Sequence, residues 1–205
     1  MAGRTTLITG GNSGIGAAIA QRLLAAGEAV VSLGLELPGW EHEKLSGYAA
    51  DLTDAAATAE IAARIAAEHR ISALVHNAGM ILPNLIADAK PEDVLTLAQL
   101  HLAAPLVLTQ AMLHGMKESG QGRILFISSR ASMGMPTRSA YASTKAGVHG
   151  LARTWALELA GQGITVNVIA PGPVKTENFW GIVPKGGELE DKIANSVPVR
   201  RIGTA

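Results

Sequence analysis

The sequence predicts a single domain of the α/β class, built on a doubly wound parallel sheet. Short apolar runs rich in Val, Ile and Leu alternate with longer stretches of helical periodicity along the 205 residues. A glycine-rich turn stands between the first apolar run and the first helical stretch. Polar motifs follow the ends of several apolar runs, which is where parallel sheets bind their ligands.

Each predicted element follows from local periodicity and the residues that interrupt it. Pro91 is expected to open a helix, and more helix is expected from about 100 to 118, with Gly120 and Gly122 closing it. Pro38 and Gly39 interrupt the short span 35–46, so the second crossover helix is predicted to be reduced to a turn. The predicted strands are 5–9, 29–33, 47–50, 73–76, 123–128 and 164–169, and the other predicted helices are 14–26, 55–68 and 140–159.

Composition limits the classes of function. Lys plus Arg and Asp plus Glu both number 17, and no basic stripe indicates binding to nucleic acid or to an anionic membrane surface. The absence of cysteine excludes disulfides and thiolate metal sites, and the histidines lack metal-ligand spacing. Residues 1–4 lack the apolar region of a signal peptide, and we expect no apolar run to be long enough to span a bilayer. We therefore expect a cytoplasmic protein without a metal, nucleic-acid or membrane partner.

The turn at 9–16, with sequence TGGNSGIG, is a candidate phosphate-binding loop. Glycines there permit a tight turn and close approach of the backbone to a ligand. The helix that follows offers free N–H groups and the positive end of its dipole to a pyrophosphate. Its position between the first strand and the first helix strengthens this interpretation.

Tyr141 and Lys145 form a candidate proton-transfer pair. Four residues apart on a predicted helix, they lie on one face. A phenol titrates near pH 10, and a nearby ammonium favours the phenolate, so we expect the pKa of Tyr141 to be lowered. A hydroxyl from Ser128 or Ser129 could hydrogen-bond the oxygen of a reacting alcohol or ketone.

Six motifs occur in an order that resembles the short-chain dehydrogenase/reductase family, over nearly the whole chain. They are the turn at 9–16, Asp51, the Asn-Ala-Gly at 77–79, the Ser-Ser at 128–129, the Tyr-x-x-x-Lys at 141–145 and the Pro-Gly at 171–172. The resemblance implies a Rossmann-like fold and an oxidoreductase. It would transfer a hydride between a nicotinamide cofactor and a secondary alcohol or ketone.

The resemblance also implies roles for individual residues. Tyr141 would be the acid/base, and Lys145 would tune it and hold the nicotinamide ribose. The other cofactor-binding candidates are Gly10, Asn12, Ser13, Ile15, Gly16, Glu36, Asp51, Leu52, Asn77, Ala78, Gly79, Pro171, Gly172, Val174 and Thr176.

Two positions in the proton-transfer site depart from the family pattern. By the resemblance, His101 stands where the family has an active-site Asn that kinks its helix and holds a water. Because imidazole can also donate and accept hydrogen bonds, His101 is a catalytic candidate. The alternative is that His101 is only a packed helix residue. Side chains alternate along a strand, so only one of Ser128 and Ser129 can face the site. Alignment on the strand end favours Ser129 and counting back from Tyr141 favours Ser128; we choose Ser129.

The end of the second strand bears on the choice of dinucleotide. An acidic residue that would accept hydrogen bonds from the adenosine ribose is missing there, since Gly34 occupies the position. Glu36 follows two residues later, and no Lys or Arg that could read a 2′-phosphate occurs between Glu28 and Glu43. We therefore expect NAD to be preferred over NADP.

The C-terminal part of the sequence is expected to affect substrate access and the assembly of subunits. The span 177–197 is predicted to be a lid over the substrate, within the single domain 1–205. Family members continue beyond the position of Ala205 into a helix and strand that complete the sheet edge, so the fold is expected to lack them. By the resemblance the protein would be a homo-oligomer, a dimer or a tetramer. The alternative functions are a non-catalytic or regulatory dinucleotide-binding relative and an epimerase or dehydratase of the same fold.

Overall fold

The computed structural model describes residues 4–205 and contains one six-stranded parallel sheet. Along the sheet the strand order is β3-β2-β1-β4-β5-β6, so the order reverses between β1 and β4. This is the doubly wound arrangement that the sequence predicted, and the reversal places a crevice at the carboxyl ends of β1 and β4. The strands are β1 (Thr5–Thr9), β2 (Ala29–Gly34), β3 (Leu45–Ala49), β4 (Ala73–His76), β5 (Gly122–Ile127) and β6 (Ile164–Ile169).

Helices cover both faces of the sheet. One face packs against α2, α4 and α5 through a large apolar core that includes Leu74, Phe126 and Trp155. The other face packs against α1, with Ile8 and Val30 in the smaller core there. The main helices are α1 (Gly14–Ala25), α2 (Ala55–Glu68), α3 (Pro91–Ala98), α4 (Ala104–Glu118) and α5 (Ser139–Leu159).

The connection between β2 and β3 contains no helix in the described residues, which confirms the predicted loss of the second crossover helix. Trp40 from this connection packs against the smaller core beside Leu45. A single indole therefore covers part of the sheet where a crossover helix would pack.

The helix predicted to run from about residue 100 to 118 is regular only from Ala104. The segment Gln99–Ala103 forms a π-helical turn between α3 and α4, in which the N–H of Ala104 donates to the carbonyl of Gln99. Pro105 explains the distortion, since it has no N–H for the carbonyl of His101 and its ring would crowd that carbonyl in a regular helix. The π turn holds His101 in the protein interior at 2% exposure.

The expectation that no apolar run is long enough to span a bilayer is wrong for the helical stretch Pro91–Glu118. By length and composition its 28 residues are enough to cross a bilayer, with a mean hydropathy of 1.4 in its most apolar window. Core helices pass the same test. Here Leu97, Leu108 and Met116 are fully buried, and 39% of that window lies inside the protein.

After β6 the chain forms short elements that return toward the sheet. The two-residue strands β7 (Val174–Lys175) and β8 (Gly203–Thr204) pair in parallel. Between them lie α6 (Glu177–Trp180) and α7 (Glu188–Asn195), which occupy most of the predicted lid. The β7–β8 pair therefore ties the two ends of this segment together.

Candidate active site

The glycine-rich turn between β1 and α1 forms a close-fitting cradle. Gly10 and Gly14 have positive φ angles of 65° and 52°, a backbone region that favours glycine. A Cβ on Gly16 would collide with the carbonyl oxygen of Gly10. Ser13, at the N-cap of α1, makes no side-chain capping bond, so the first N–H groups of α1 remain available to a ligand. Ile15 follows Gly14 in the first turn of α1 and is half-buried.

Asn77 fastens this cradle to the end of β4. Its Nδ2 donates to the carbonyl oxygens of Thr9 and Gly10 at 3.0 and 3.1 Å. In return, the Thr9 hydroxyl accepts from the backbone N–H groups of Asn77 and Ala78, both at 3.0 Å. The two strand ends at the switch point are thus joined by four hydrogen bonds, which fixes the cradle before any ligand binds.

Asn12 fills the space at the end of β2. Its Oδ1 accepts from the Ser32 hydroxyl at 2.6 Å, and its Nδ2 donates to the backbone carbonyl of Glu36. A Cβ on Gly34 would lie 2.5 Å from Asn12 Nδ2, so an acidic side chain at that position would require Asn12 to move. The side chain of Glu36 is exposed.

Asp51 and Leu52 follow β3, on the predicted adenine side of the cradle. Asp51 is exposed, and its carboxylate accepts from both the N–H and the hydroxyl of Thr53, which lowers its pKa. Leu52 is buried at 5% exposure. Asp51 therefore shapes a turn, and Leu52 offers an apolar side chain at its base.

Tyr141 and Lys145 lie on one face of α5, as predicted. Lys145 Nζ is 5.7 Å from the centroid of the Tyr141 ring. Lys145 is only 4% exposed, and its ammonium donates to the carbonyl of Ile127, at the end of β5, at 2.8 Å. Burial lowers the pKa of Lys145 to about 8. No carboxylate among residues 4–205 forms an ion pair with this lysine.

The pKa of Tyr141 is raised, contrary to the expectation from the nearby ammonium. Burial of the phenol is the largest cause and outweighs the hydrogen bond with Ser129 and the positive charge of Arg138, which both lower the pKa. The ammonium of Lys145 is directed to the Ile127 carbonyl, and it is not among the charges that lower the pKa of Tyr141.

The two candidate serines face different surroundings. Ser128 is buried, donates to the backbone carbonyl of Lys145 at 3.0 Å and lies 3.0 Å from His149 Nε2. Ser129 is half-buried, and its hydroxyl lies near enough to the phenol of Tyr141 to lower its pKa. Its hydroxyl also accepts from the N–H of Ala131 at 3.1 Å, which fixes its position. The structure thus places Ser129, rather than Ser128, beside Tyr141.

His101 lies against both members of the pair. Its ring makes an edge-on contact with the Tyr141 ring, with centroids 5.6 Å apart. Its Nδ1 is 2.8 Å from the hydroxyl of Thr144, whereas its Nε2 has no hydrogen-bond partner among the described residues. A Cβ on Gly79 would lie 3.0 Å from His101 Nε2 and 3.4 Å from Lys145 Nζ, so Gly79 leaves the space between these nitrogens open.

The residues that follow β6 include Thr176, which lies against the glycine-rich turn. Thr176 caps α6 by accepting from the N–H of Phe179 at 3.2 Å. The same side chain would lie 3.2 Å from a Cβ on Gly14, so this segment lies against the glycine turn. Pro171 accepts from the N–H of Arg130 at 3.1 Å, and Gly172 is exposed. Val174 belongs to β7, directly before Thr176.

Sequence reasoning missed two residues of this region. Thr9 was recognised only as part of the glycine-rich motif, although its hydroxyl joins β1 to β4. His76, the last residue of β4, received no role, yet it is 5% exposed, and its pKa is lowered by burial and then by the charge of nearby Lys145. Its position directly before Asn77 was the available signal, since it puts a polar side chain at the switch point.

The assembled site places the candidate proton-transfer residues at the same edge of the sheet as a cradle suited to a dinucleotide. Ser129, Tyr141 and Lys145 lie at the end of β5 and on α5, and the glycine turn follows β1, which β4 separates from β5 in the sheet. Any side chain on Gly16 would obstruct the cradle, and the free N–H groups of α1 suit a phosphate. These residues therefore fit a nicotinamide dinucleotide, whose ring would lie near Tyr141.

Comparison with known proteins gives a consistent result. The family model for short chain dehydrogenases matches residues 4–185. The 3-oxoacyl-[acyl-carrier-protein] reductase FabG of Haemophilus influenzae is 34% identical over 213 residues, which cover 100% of this chain and 87% of that protein. The (2S)-[(R)-hydroxy(phenyl)methyl]succinyl-CoA dehydrogenase subunit BbsC of Thauera aromatica is 33% identical, with 98% and 82% covered.

Solved structures agree with this result. A candidate NAD(P)-dependent gluconate 5-dehydrogenase from Beutenbergia cavernae, with bound NADP at low occupancy, superposes with a TM-score of 0.90 at 33% identity. The match covers 100% of this chain and 85% of that one. The NADP-bound structure of ElxO superposes with a TM-score of 0.88 at 31% identity, covering 98% and 86%.

Proposed function

Because the chain belongs to the short-chain dehydrogenase/reductase family and is an NAD(P)-dependent oxidoreductase, we propose that it interconverts a secondary alcohol and a ketone with Tyr141 as the proton-exchanging group. The observation that carries this proposal is the placement of Tyr141 and Lys145 on one face of α5, 5.7 Å from ammonium to ring centroid, with the Ser129 hydroxyl near enough to the phenol to lower its pKa. The named reactions of the relatives support it, since a 3-oxoacyl reductase acts on a ketone and BbsC is a dehydrogenase of a hydroxyl compound.

The residues of this chain divide the work of the reaction. The nicotinamide, when bound, supplies or accepts the hydride. In ketone reduction the phenol of Tyr141 donates its proton to the substrate oxygen; in alcohol oxidation Tyr141 accepts the hydroxyl proton. Ser129 holds the substrate oxygen beside the phenol, and its contact with Ala131 keeps it in place. A raised pKa of Tyr141 keeps the phenol protonated at neutral pH, which suits ketone reduction.

The dinucleotide preference proposed here is for NAD. The exposed carboxylate of Glu36 follows β2, where a 2′-phosphate would lie, and the charges would repel each other. Asn12 and Ser32, which occupy the strand end, are neutral. The NADP bound to the structural relatives argues against this preference, so a direct test is needed.

The test is a comparison of NADH and NADPH, both in binding and in ketone reduction. A Glu36→Lys variant is expected to shift the ratio of kcat/KM values toward NADPH by roughly tenfold or more, since it replaces a repulsion with an attraction. Glu41→Lys is the matched control, because Glu41 lies in the same connection and is exposed. Preference for NADPH in the unmodified protein would contradict the NAD proposal and leave the proposed reaction standing.

The remaining expectations concern substrate access and assembly. The segment 177–197 is proposed to be a lid, supported by its attachment at the β7–β8 pair and by the contact of Thr176 with the glycine turn. Phe179 and Trp180 pack edge-on there, with centroids 5.0 Å apart, and offer an apolar wall to a substrate. We also propose that the protein forms a homo-oligomer, a dimer or a tetramer.

A further inference from the structure

A small cavity lies beneath the ammonium of Lys145. Its volume of about 10 Å³ matches the space needed by one water molecule. His76, His101 and Lys145 all line it, among apolar neighbours such as Phe126 and Leu108. His76 Nδ1 and His101 Nε2 have no hydrogen-bond partner within residues 4–205, and Lys145 has one acceptor there for its three donors. The cavity is therefore polar enough to hold a water and too small for a larger ligand.

Lys145 lacks acceptors for its charge. An ammonium has three donors, and its one protein acceptor among residues 4–205 is the carbonyl of Ile127. A buried cation without a counterion is costly unless other groups accept its remaining hydrogen bonds. The groups that face it are His76 from β4, His101 from the π turn and Tyr141 from its own helix.

The tautomer of His101 follows from its neighbour. The hydroxyl of Thr144 donates to the carbonyl of Ala140 at 3.0 Å or of Tyr141 at 3.1 Å, and it has only one proton. We assign this proton to the carbonyls, so that the hydroxyl accepts from Nδ1–H of His101, 2.8 Å away. The proton of this neutral ring is then on Nδ1, and Nε2 presents a lone pair to the space beside Lys145.

His76 offers a second lone pair. Its Nε2 is 3.0 Å from the hydroxyl of Thr109, and its Nδ1 is buried without a partner among the described residues. The charge of Lys145 favours a lone pair over an N–H on the unpartnered nitrogen, which puts the proton on Nε2, toward Thr109. Stacking on Phe126, with centroids 4.8 Å apart, holds the ring. Burial, with the charge of Lys145 second, lowers the pKa of both histidines to about 3, so both are neutral at working pH.

We propose that His76 and His101 act as a pair of neutral acceptors, which hold the Lys145 ammonium through one water molecule in the cavity beneath it. His76 is a positioning residue in this arrangement, because it acts on the reaction only through Lys145. The inference rests on the proposed function of the Tyr141–Lys145 pair. It adds a residue to that site and accounts for a buried cation that has no carboxylate partner.

The test is an NMR titration of Lys145 Nζ in the full-length protein without substrate. His76→Phe keeps a ring beside Phe126 and removes the acceptor, so the pKa of Lys145 is expected to fall by roughly one unit. Thr109→Val keeps the ring of His76 and frees it to move its proton to Nδ1, so a fall in the same direction is expected. Met112→Leu, a buried substitution on the same helix outside the cavity, is the control and should leave this pKa unchanged.

The nitrogen spectra of the two histidines provide an independent measurement. A proton on Nδ1 of His101 and on Nε2 of His76 is expected. A Lys145 pKa unchanged in both folded variants, or a proton on His101 Nε2, would overturn the inference. The titration does not depend on turnover, so it can fail while the dehydrogenase activity stands, and the reverse also holds. If the inference holds, the alkaline loss of activity moves to lower pH in His76→Phe.

Discussion

Lys145 and Ile127 are joined by a 2.8 Å hydrogen bond that ties the ammonium on α5 to the end of β5. The bond directs the charge toward the strand end, while Tyr141 on the preceding turn keeps a raised pKa. Burial therefore controls both groups: it keeps the phenol protonated and makes the lysine easier to deprotonate. The proposed proton-transfer pair therefore lies in a low-dielectric site, where the ammonium donates to a neutral carbonyl.

Replacing Lys145 with Met is expected to remove a pH-dependent cost of folding. The pKa of Lys145 is about 8 in the native state against 10.5 for a free lysine, so between these values the unfolded chain binds more protons. The stability of the unmodified protein should therefore rise relative to the variant from pH 8 to 10.5, by up to about 3 kcal/mol. Urea unfolding of both proteins at several pH values measures this difference. Parallel curves would contradict the burial of a charged lysine.

Replacing each serine in turn should separate the two candidates. Ser129→Ala is expected to lower kcat by roughly 10²-fold, since the substrate oxygen loses a hydrogen-bond donor. It should also raise the pKa of Tyr141 further, because the nearby Ser129 hydroxyl lowers it. Ser128→Ala removes bonds to Lys145 and His149 and should cost about 1 kcal/mol of stability with a smaller effect on kcat. The reverse pattern of kcat losses would assign the role to Ser128.

Gly79 is expected to be intolerant of a side chain for a reason specific to this site. A Cβ there would lie 3.0 Å from His101 Nε2 and 3.4 Å from Lys145 Nζ, so it would push the His101 ring by a few tenths of an ångström and fill the space between the two nitrogens. Gly79→Ala should therefore reduce kcat strongly while the protein stays folded. Gly115→Ala is the control, since a Cβ at that position in α4 meets nothing within 4 Å. It should stabilise the protein by roughly 0.5–1 kcal/mol. Full activity of Gly79→Ala would show that this space is not used.

Most of the fold could be predicted because its signals are local. Alternating periodicities gave the strands and the main helices, and Pro38 with Gly39 indicated the missing crossover helix. The π turn before Pro105 was not predicted, since a proline in the first turn of a helix is ordinarily tolerated.

The positions of the site residues could be predicted where they belong to a sequence motif. Properties that depend on packing in the folded chain could not be predicted. The positions of Tyr141 and Lys145 followed from their spacing, but the direction of the Tyr141 pKa shift did not, since burial outweighed the neighbouring charges. His76 was missed although it directly precedes Asn77 at the switch point, because only the folded chain shows that its ring lies near Lys145. The space at Gly34 is filled by Asn12 from a different turn, which only the folded chain shows.

Tyr141→Phe tests the central claim most directly. Phenylalanine keeps the ring and its contact with His101, but it cannot exchange a proton. The measurement is ketone reduction by the variant at saturating cofactor, with binding of NADH and NADPH followed in parallel. The account predicts a loss of roughly 10²- to 10⁴-fold in kcat with cofactor binding retained. Undiminished turnover would contradict the role of Tyr141 and reopen the assignment of the proton-transfer group.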